Sequence, residues 1–122
     1  MLLDTSAWIE FFNGTRKGIA VKEFLDKGEC FTSSISFAEL SYWVWAKKPE
    51  KIHNIGSVKK LSAILGIDEG TLELAGKIKA EKRKTVKDIG LIDCIIIATA
   101  RQYELKILTG DSHFEGENAV ML

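Results

Sequence analysis

Proline occurs once in 122 residues, cysteine twice and histidine twice. With 46% hydrophobic and 28% charged residues, the scarcity of proline argues against long disordered arms. The cysteines have no close-spaced partner. Cys30 is followed by FTSS and Cys94 by IIIA, so both read as buried thiols of a reducing compartment. MLLDTSAWIEFF has no basic leader and is interrupted by Asp4 and Glu10, which excludes a signal-peptide or membrane-spanning reading of this stretch. A cytoplasmic protein without membrane contact is the expectation. Charge excess is missing too, since 17 Lys and Arg face 17 Asp and Glu. That balance argues against whole-molecule attraction to nucleic acid but permits a local patch. KIKAEKRKTVK, residues 77–87, is such a patch, with six basic residues and one acidic, and the remainder carries a net charge of minus five. No repeat or low-complexity tract is present. A chain of this length buries about two thirds of its unfolded surface, and residues 1–122 are expected to form one domain.

Short apolar runs alternate with longer stretches of helical periodicity, the rhythm of an α/β domain with a partly parallel sheet. MLLD reads as the first strand, a short helix follows over residues 6–12, and NGTRKG is a turn. A second helix places Ile19, Val21, Phe24 and Leu25 on an apolar face and stops at Gly28. ECFTSS is the second strand and SFAELSYWVWAKK a helix, which Pro49 ends or bends. Residues 52–65 are helical but broken by Gly56, and ILGI reads as a very short third strand. Residues 68–84 resume helix with Leu72, Leu74, Ala75 and Ile78 inward. Residues 91–103 are the most apolar stretch, long enough to favour helix despite three consecutive Ile. LKILTG and NAVML are strands separated by the loop DSHFEGE. This order predicts a doubly wound, three-layer α/β/α domain, whose ligand crevice lies beyond the carboxyl ends of the strands.

Four carboxylates fall at strand ends or helix starts. Asp4 closes the first strand and either caps the next helix, as Thr5 or Ser6 also could, or serves a site. Asp111 stands in the same relation to LKILTG. Glu39 either completes a capping box with Ser36 or belongs to the site. Asp93 is the only charge between Asp88 and Arg101, in the first turns of a helix built for burial. Such a carboxylate must be paired, bonded or neutralised, with helix capping as the alternative to a metal. Four carboxylates held close repel one another unless divalent cations sit among them. Mg²⁺ or Mn²⁺ suits an all-oxygen shell, while the lack of a Cys or His cluster speaks against zinc. The chemistry that wants this cluster is phosphodiester hydrolysis, with Thr5, Ser6 and Thr109 orienting waters or holding carboxylate rotamers. Two alternatives stay open: a two-metal phosphatase or other phosphoester hydrolase, and a non-catalytic RNA- or partner-binding domain whose carboxylates only cap helices.

LLDTSAWIEFF, SSISFAEL, GLIDCIIIATA and LKILTGDSHF occur in order across nearly the whole chain. In these blocks the sequence resembles the PIN-domain ribonucleases of the VapC toxin type. The resemblance maps that family's acidic residues onto Asp4, Glu39, Asp93 and Asp111 and its strand-end hydroxyls onto Ser6 and Thr109. It implies a central five-stranded parallel sheet, Mg²⁺- or Mn²⁺-dependent cleavage of RNA, a homodimer, and inhibition by a small cognate VapB-type antitoxin. Many relatives carry a further acidic residue two positions after the last aspartate, where this chain has His113.

YWVW, residues 42–45, packs three aromatics into about one helical turn, so they cannot all face one core. At least one of Tyr42, Trp43 and Trp45 is expected at the surface, where it could anchor a dimer partner or an antitoxin helix. Trp8 is expected in the core. The basic run over residues 77–87 is either a solvated helix face or, leading towards Asp93, a contact for phosphate backbone.

Overall fold

The structure, a computed structural model, describes residues 1–122. Five short strands, β1 (Leu2–Leu3), β2 (Phe31–Ser33), β3 (Ala63–Leu65), β4 (Ile107–Thr109) and β5 (Ala119–Met121), form one sheet in the order β3-β2-β1-β4-β5. Every neighbouring pair is parallel, with Leu2 opposite Phe31 on one side and Ile107 on the other. Six helices connect them: α1 (Thr5–Asn13), α2 (Arg16–Lys27), α3 (Ser34–Lys47), α4 (Asn54–Leu61), α5 (Glu69–Lys82) and α6 (Leu91–Gln102). None is long and apolar enough to cross a membrane.

Strand alternation divides the core in two. Leu2 and Ile107 face a cluster with Ala75, Ile78 and the apolar run of α6, whereas Leu3 and Leu108 face Ala7, Trp8, Val21, Leu40 and Val58. The three layers follow from that division, with α5 and α6 on one face of the sheet. Each fully buried leucine or isoleucine here contributes about 1.5–3 kcal/mol of transfer free energy. Trp8 is fully buried, as the sequence predicts. Its Nε1 donates to Thr32 Oγ1 at 3.0 Å, which removes the cost of burying an indole N–H. The run Cys94–Ala100 is buried on all sides because α6 packs on the sheet, on α5 and on the turn after β4. A sequence of three isoleucines is therefore compatible with helix.

Four local expectations are corrected. Ile19 is 61% exposed, since the face of α2 that meets α1 is set by Gly18 and Val21, and Ile19 points roughly 100° away from Gly18. Leu72 is 49% exposed, because the inward stripe of α5 is Thr71, Ala75 and Ile78. Thr71 can take the inner position since its hydroxyl is within hydrogen-bond reach of Asp68 Oδ1 and of the Gln102 side-chain amide. Gly56 does not break the helix but lies inside α4, where its cost of about 1 kcal/mol against alanine is absorbed. The third strand is Ala63–Leu65, starting one residue before ILGI and ending two residues short of its end.

Gly18 marks the tightest approach of α1 and α2. A Cβ at this position would stand 2.1 Å from Glu10 O and 2.7 Å from its carbonyl carbon, both backbone atoms that cannot rotate away. Gly18→Ala is expected to destabilise the fold by about 2 kcal/mol or more through overpacking. Urea denaturation checks this, and a midpoint equal to the parent's would show that the helices separate at no cost.

Candidate metal centre

The sheet order changes direction beside β1: the chain leaves it to build β2 and β3 on one side and returns to place β4 and β5 on the other. The carboxyl ends of β1 and β4 flank the resulting crevice. Asp4 follows β1 and Asp111 lies two residues past β4, while α3 carries Glu39 and the first turn of α6 carries Asp93. All four line one open pocket of about 220 Å³, together with Thr5, Ser6, Ile9 and Ile96. A larger cavity, at the amino ends of β4 and β5, is lined by Ala100, Arg101, Glu104, Leu105, Ile107 and Asn118, without convergent carboxylates.

Asp4 is only 3% exposed and serves two purposes at once. Its Oδ1 accepts from the Ala7 amide at 2.9 Å, the helix cap that sequence allows, and from Ser6 Oγ at 2.7 Å. Its Oδ2 accepts from Thr109 Oγ1 at 2.6 Å and keeps one acceptor direction free. Burial pushes the Asp4 carboxyl up to about 6, against the opposing pull of these three donors, and the negative charge of Asp111 adds to the rise. Thr109 and Ser6 stitch the two strand ends together. Thr109 Oγ1 accepts from the Asp111 amide, and Ser6 Oγ accepts from the Gly110 amide, each at 2.9 Å.

Glu39 does not form the capping box. Helix α3 starts at Ser34, its N-cap is Ser33, and Ser36 lies a turn inside with its hydroxyl buried and unpartnered. Glu39 Oε1 instead accepts from Thr5 Oγ1 at 2.5 Å, which holds it across the crevice. Asp93 does cap its helix, accepting from the Gly90 amide at 3.3 Å through Oδ2. Burial nonetheless raises its carboxyl above the usual range; the Gly90 amide and His113 pull it back, and Asp111 pushes it further up. Asp111 Oδ1 accepts from the His113 amide at 2.9 Å and so caps the 3₁₀ turn Ser112–Phe114. Capping and convergence are thus not exclusive for Asp4, Asp93 and Asp111.

Sequence reasoning left His113 outside the site. Its buried Nδ1 lies 3.3 Å from Asp93 Oδ2 and 3.3 Å from Asp111 Oδ1, contacts that become ion pairs when the ring is charged. Donor atoms of Asp93, Asp111 and His113 all fall within 4.8 Å of one another. The usable signal was the spacing D-S-H-F, because a single 3₁₀ turn anchored by buried Phe114 returns residue 113 to the carboxylate that caps it. Two donors about 2.1 Å from one cation stand about 3.0–3.4 Å apart, so these spacings and the orphaned ring nitrogen fit a divalent ion. Asp4 and Glu39 line the same pocket but stand outside this close group of donors.

A family profile described as PIN domain matches residues 1–116. Among solved structures, a toxin-antitoxin complex from Klebsiella pneumoniae superposes with a TM-score of 0.78 at 26% identity, covering 98% of this chain and 95% of that one. FitAcB from Neisseria gonorrhoeae gives 0.73 at 28% identity, over 92% of this chain and 88% of that one. VapC20 from Mycobacterium tuberculosis, described as a sarcin-ricin loop cleaving toxin, gives 0.76 at 14% identity, over 95% of both chains, and bears on the fold alone. No curated protein matches the sequence.

Proposed function

This chain belongs to the PIN-domain family, and on that premise we propose that it is a metal-dependent endoribonuclease, the toxin of a toxin-antitoxin pair. The observation that carries the reading is the meeting of Asp4, Glu39, Asp93 and Asp111, from four separate segments, on one pocket at the carboxyl edge of a parallel sheet. In this reading the four hold Mg²⁺, or Mn²⁺ in its place. The bound ion supplies a lowered pKa for water and neutralises charge on the phosphodiester. The chain's own residues prepare the site. Thr109 and Ser6 fix Asp4 in one rotamer, and Thr5 does the same for Glu39. Burial disfavours the charged forms of Asp4 and Asp93, which a bound cation would favour. Cleavage of structured RNA with Mg²⁺ or Mn²⁺, lost in EDTA, tests the function. Equal turnover of a phosphate monoester would favour a phosphatase, and inertness towards RNA, DNA and monoester a binding domain.

Of the basic run, Lys82 is tied to Glu117 at 2.7 Å, which leaves Lys77, Arg83, Lys84 and Lys87 exposed, several of them on the turn that leads into α6. We assign these four to phosphate backbone contact. Buried Cys30 and Cys94 suit a cytoplasmic setting. The toxin-antitoxin complex at 26% identity supports a small VapB-type antitoxin as partner. Tyr42 and Trp45, 71% and 66% exposed on α3, supply the apolar surface for a homodimer. Sedimentation is expected to give a dimer at tens of micromolar, reduced to monomer by Trp45→Glu. A monomeric parent would assign these aromatics to the antitoxin instead.

A further inference from the structure

We propose that His113 is a nitrogen ligand of this centre and that it makes the site select Mn²⁺ over Mg²⁺. The inference rests on the metal-dependent reading above and says which ion that reading takes. His113 is held in place from both sides along the chain: its amide donates to Asp111 Oδ1 at 2.9 Å, and Phe114, 1% exposed, packs the turn into the core. The ring therefore enters the cluster with little freedom. Its buried Nδ1 faces Asp93 Oδ2 and Asp111 Oδ1 at 3.3 Å each, and donor atoms of the three residues lie within 4.8 Å of one another.

A cation between the three donors satisfies all of them together. Donors about 2.15 Å from a common ion and about 100° apart stand about 3.3 Å from each other. The donor set then decides the ion. Mg²⁺ takes oxygen ligands, keeps several waters and dehydrates reluctantly, so an imidazole adds little to its binding. Mn²⁺ shares the preference for carboxylates but, as a transition ion that sheds water more readily, gains more than Mg²⁺ from one nitrogen donor. An aspartate at position 113 would restore an all-oxygen set and with it the standing of Mg²⁺.

Pulsed electron paramagnetic resonance of Mn²⁺ bound to the whole chain reads the ligand directly. A coupling from a directly bound imidazole ¹⁴N is expected in the parent protein and absent in His113→Asp and His113→Gln. The only other histidine, His53, is exposed at the head of α4, and His53→Gln is expected to keep the signal. Calorimetry with each metal alone is expected to show the Mn²⁺-to-Mg²⁺ affinity ratio falling roughly tenfold in His113→Asp. Mn²⁺ bound without nitrogen coupling, at a ratio unchanged by His113→Asp, would overturn the inference and leave the carboxylate centre standing. Absence of Mn²⁺ and Mg²⁺ binding by the parent protein would remove the centre itself. The parent spectrum decides the ligand even if a variant fails to fold.

Discussion

Asp93→Asn is expected to lower metal-dependent RNA cleavage by about two orders of magnitude while the metal-free protein melts at the same temperature or higher. The substitution keeps the size of the side chain and its acceptor for the Gly90 amide, so the start of α6 is preserved. It removes a negative charge that burial and Asp111 both disfavour. It also takes a ligand charge from the pocket, which is why activity and stability move in opposite directions. Thermal melting with and without Mg²⁺, run beside the cleavage assay, separates the roles. Parental cleavage together with an undiminished metal-induced rise in melting temperature would reduce Asp93 to a helix cap.

The metal-free protein is also expected to lose stability as pH rises from about 4 to about 6. Asp4 titrates at about 6 in the fold against an ordinary 3.8. Between those values the folded state binds the additional proton, so acid stabilises and rising pH withdraws that stabilisation. The full shift corresponds to about 3 kcal/mol as an upper limit. Asp93, also raised, acts with the same sign, whereas Glu117 and Asp68 are lowered and act below their ordinary values of 4.5 and 3.8. Denaturant midpoints in EDTA from pH 4 to 7 are expected to fall for the parent protein and to fall less for Asp4→Asn. Saturating Mn²⁺ reverses the slope, because it binds the charged form. Equal slopes in the parent and Asp4→Asn would show that Asp4 ionises freely in the fold.

The layers, the six connecting helices and the convergence of the four carboxylates were legible in sequence, because strand ends and helix starts are marked by local chemistry. Asp4, Thr109 and Asp111 sit where apolar runs stop, and such stops fall on one edge of a parallel sheet. Misreadings arose where two residues competed for one place. Thr71 displaced Leu72 from the inward stripe because Asp68 and Gln102 satisfy its hydroxyl, a contact that spans 31 residues in the case of Gln102. Ser33 displaced Ser36 as N-cap because β2 ends at that serine, freeing Glu39 for Thr5. His113 stood out in sequence only as the residue in place of a family acid; its approach to Asp93 and Asp111 depends on a ring orientation that only the packed turn supplies.

The central position of β1 also governs when the pocket can be completed. Asp4 is held by Thr109, 105 residues further on, and Leu2 pairs with Ile107. A nascent chain that has emerged only through α5 displays Asp4 and Glu39 on segments that lack Asp93, Thr109 and Asp111, so its pocket is missing half its carboxylates. Contacts this far apart in sequence form late, after the cost of closing the long loop has been met by the rest of the core. Synthesis itself therefore imposes a delay between making the first of these carboxylates and assembling the pocket.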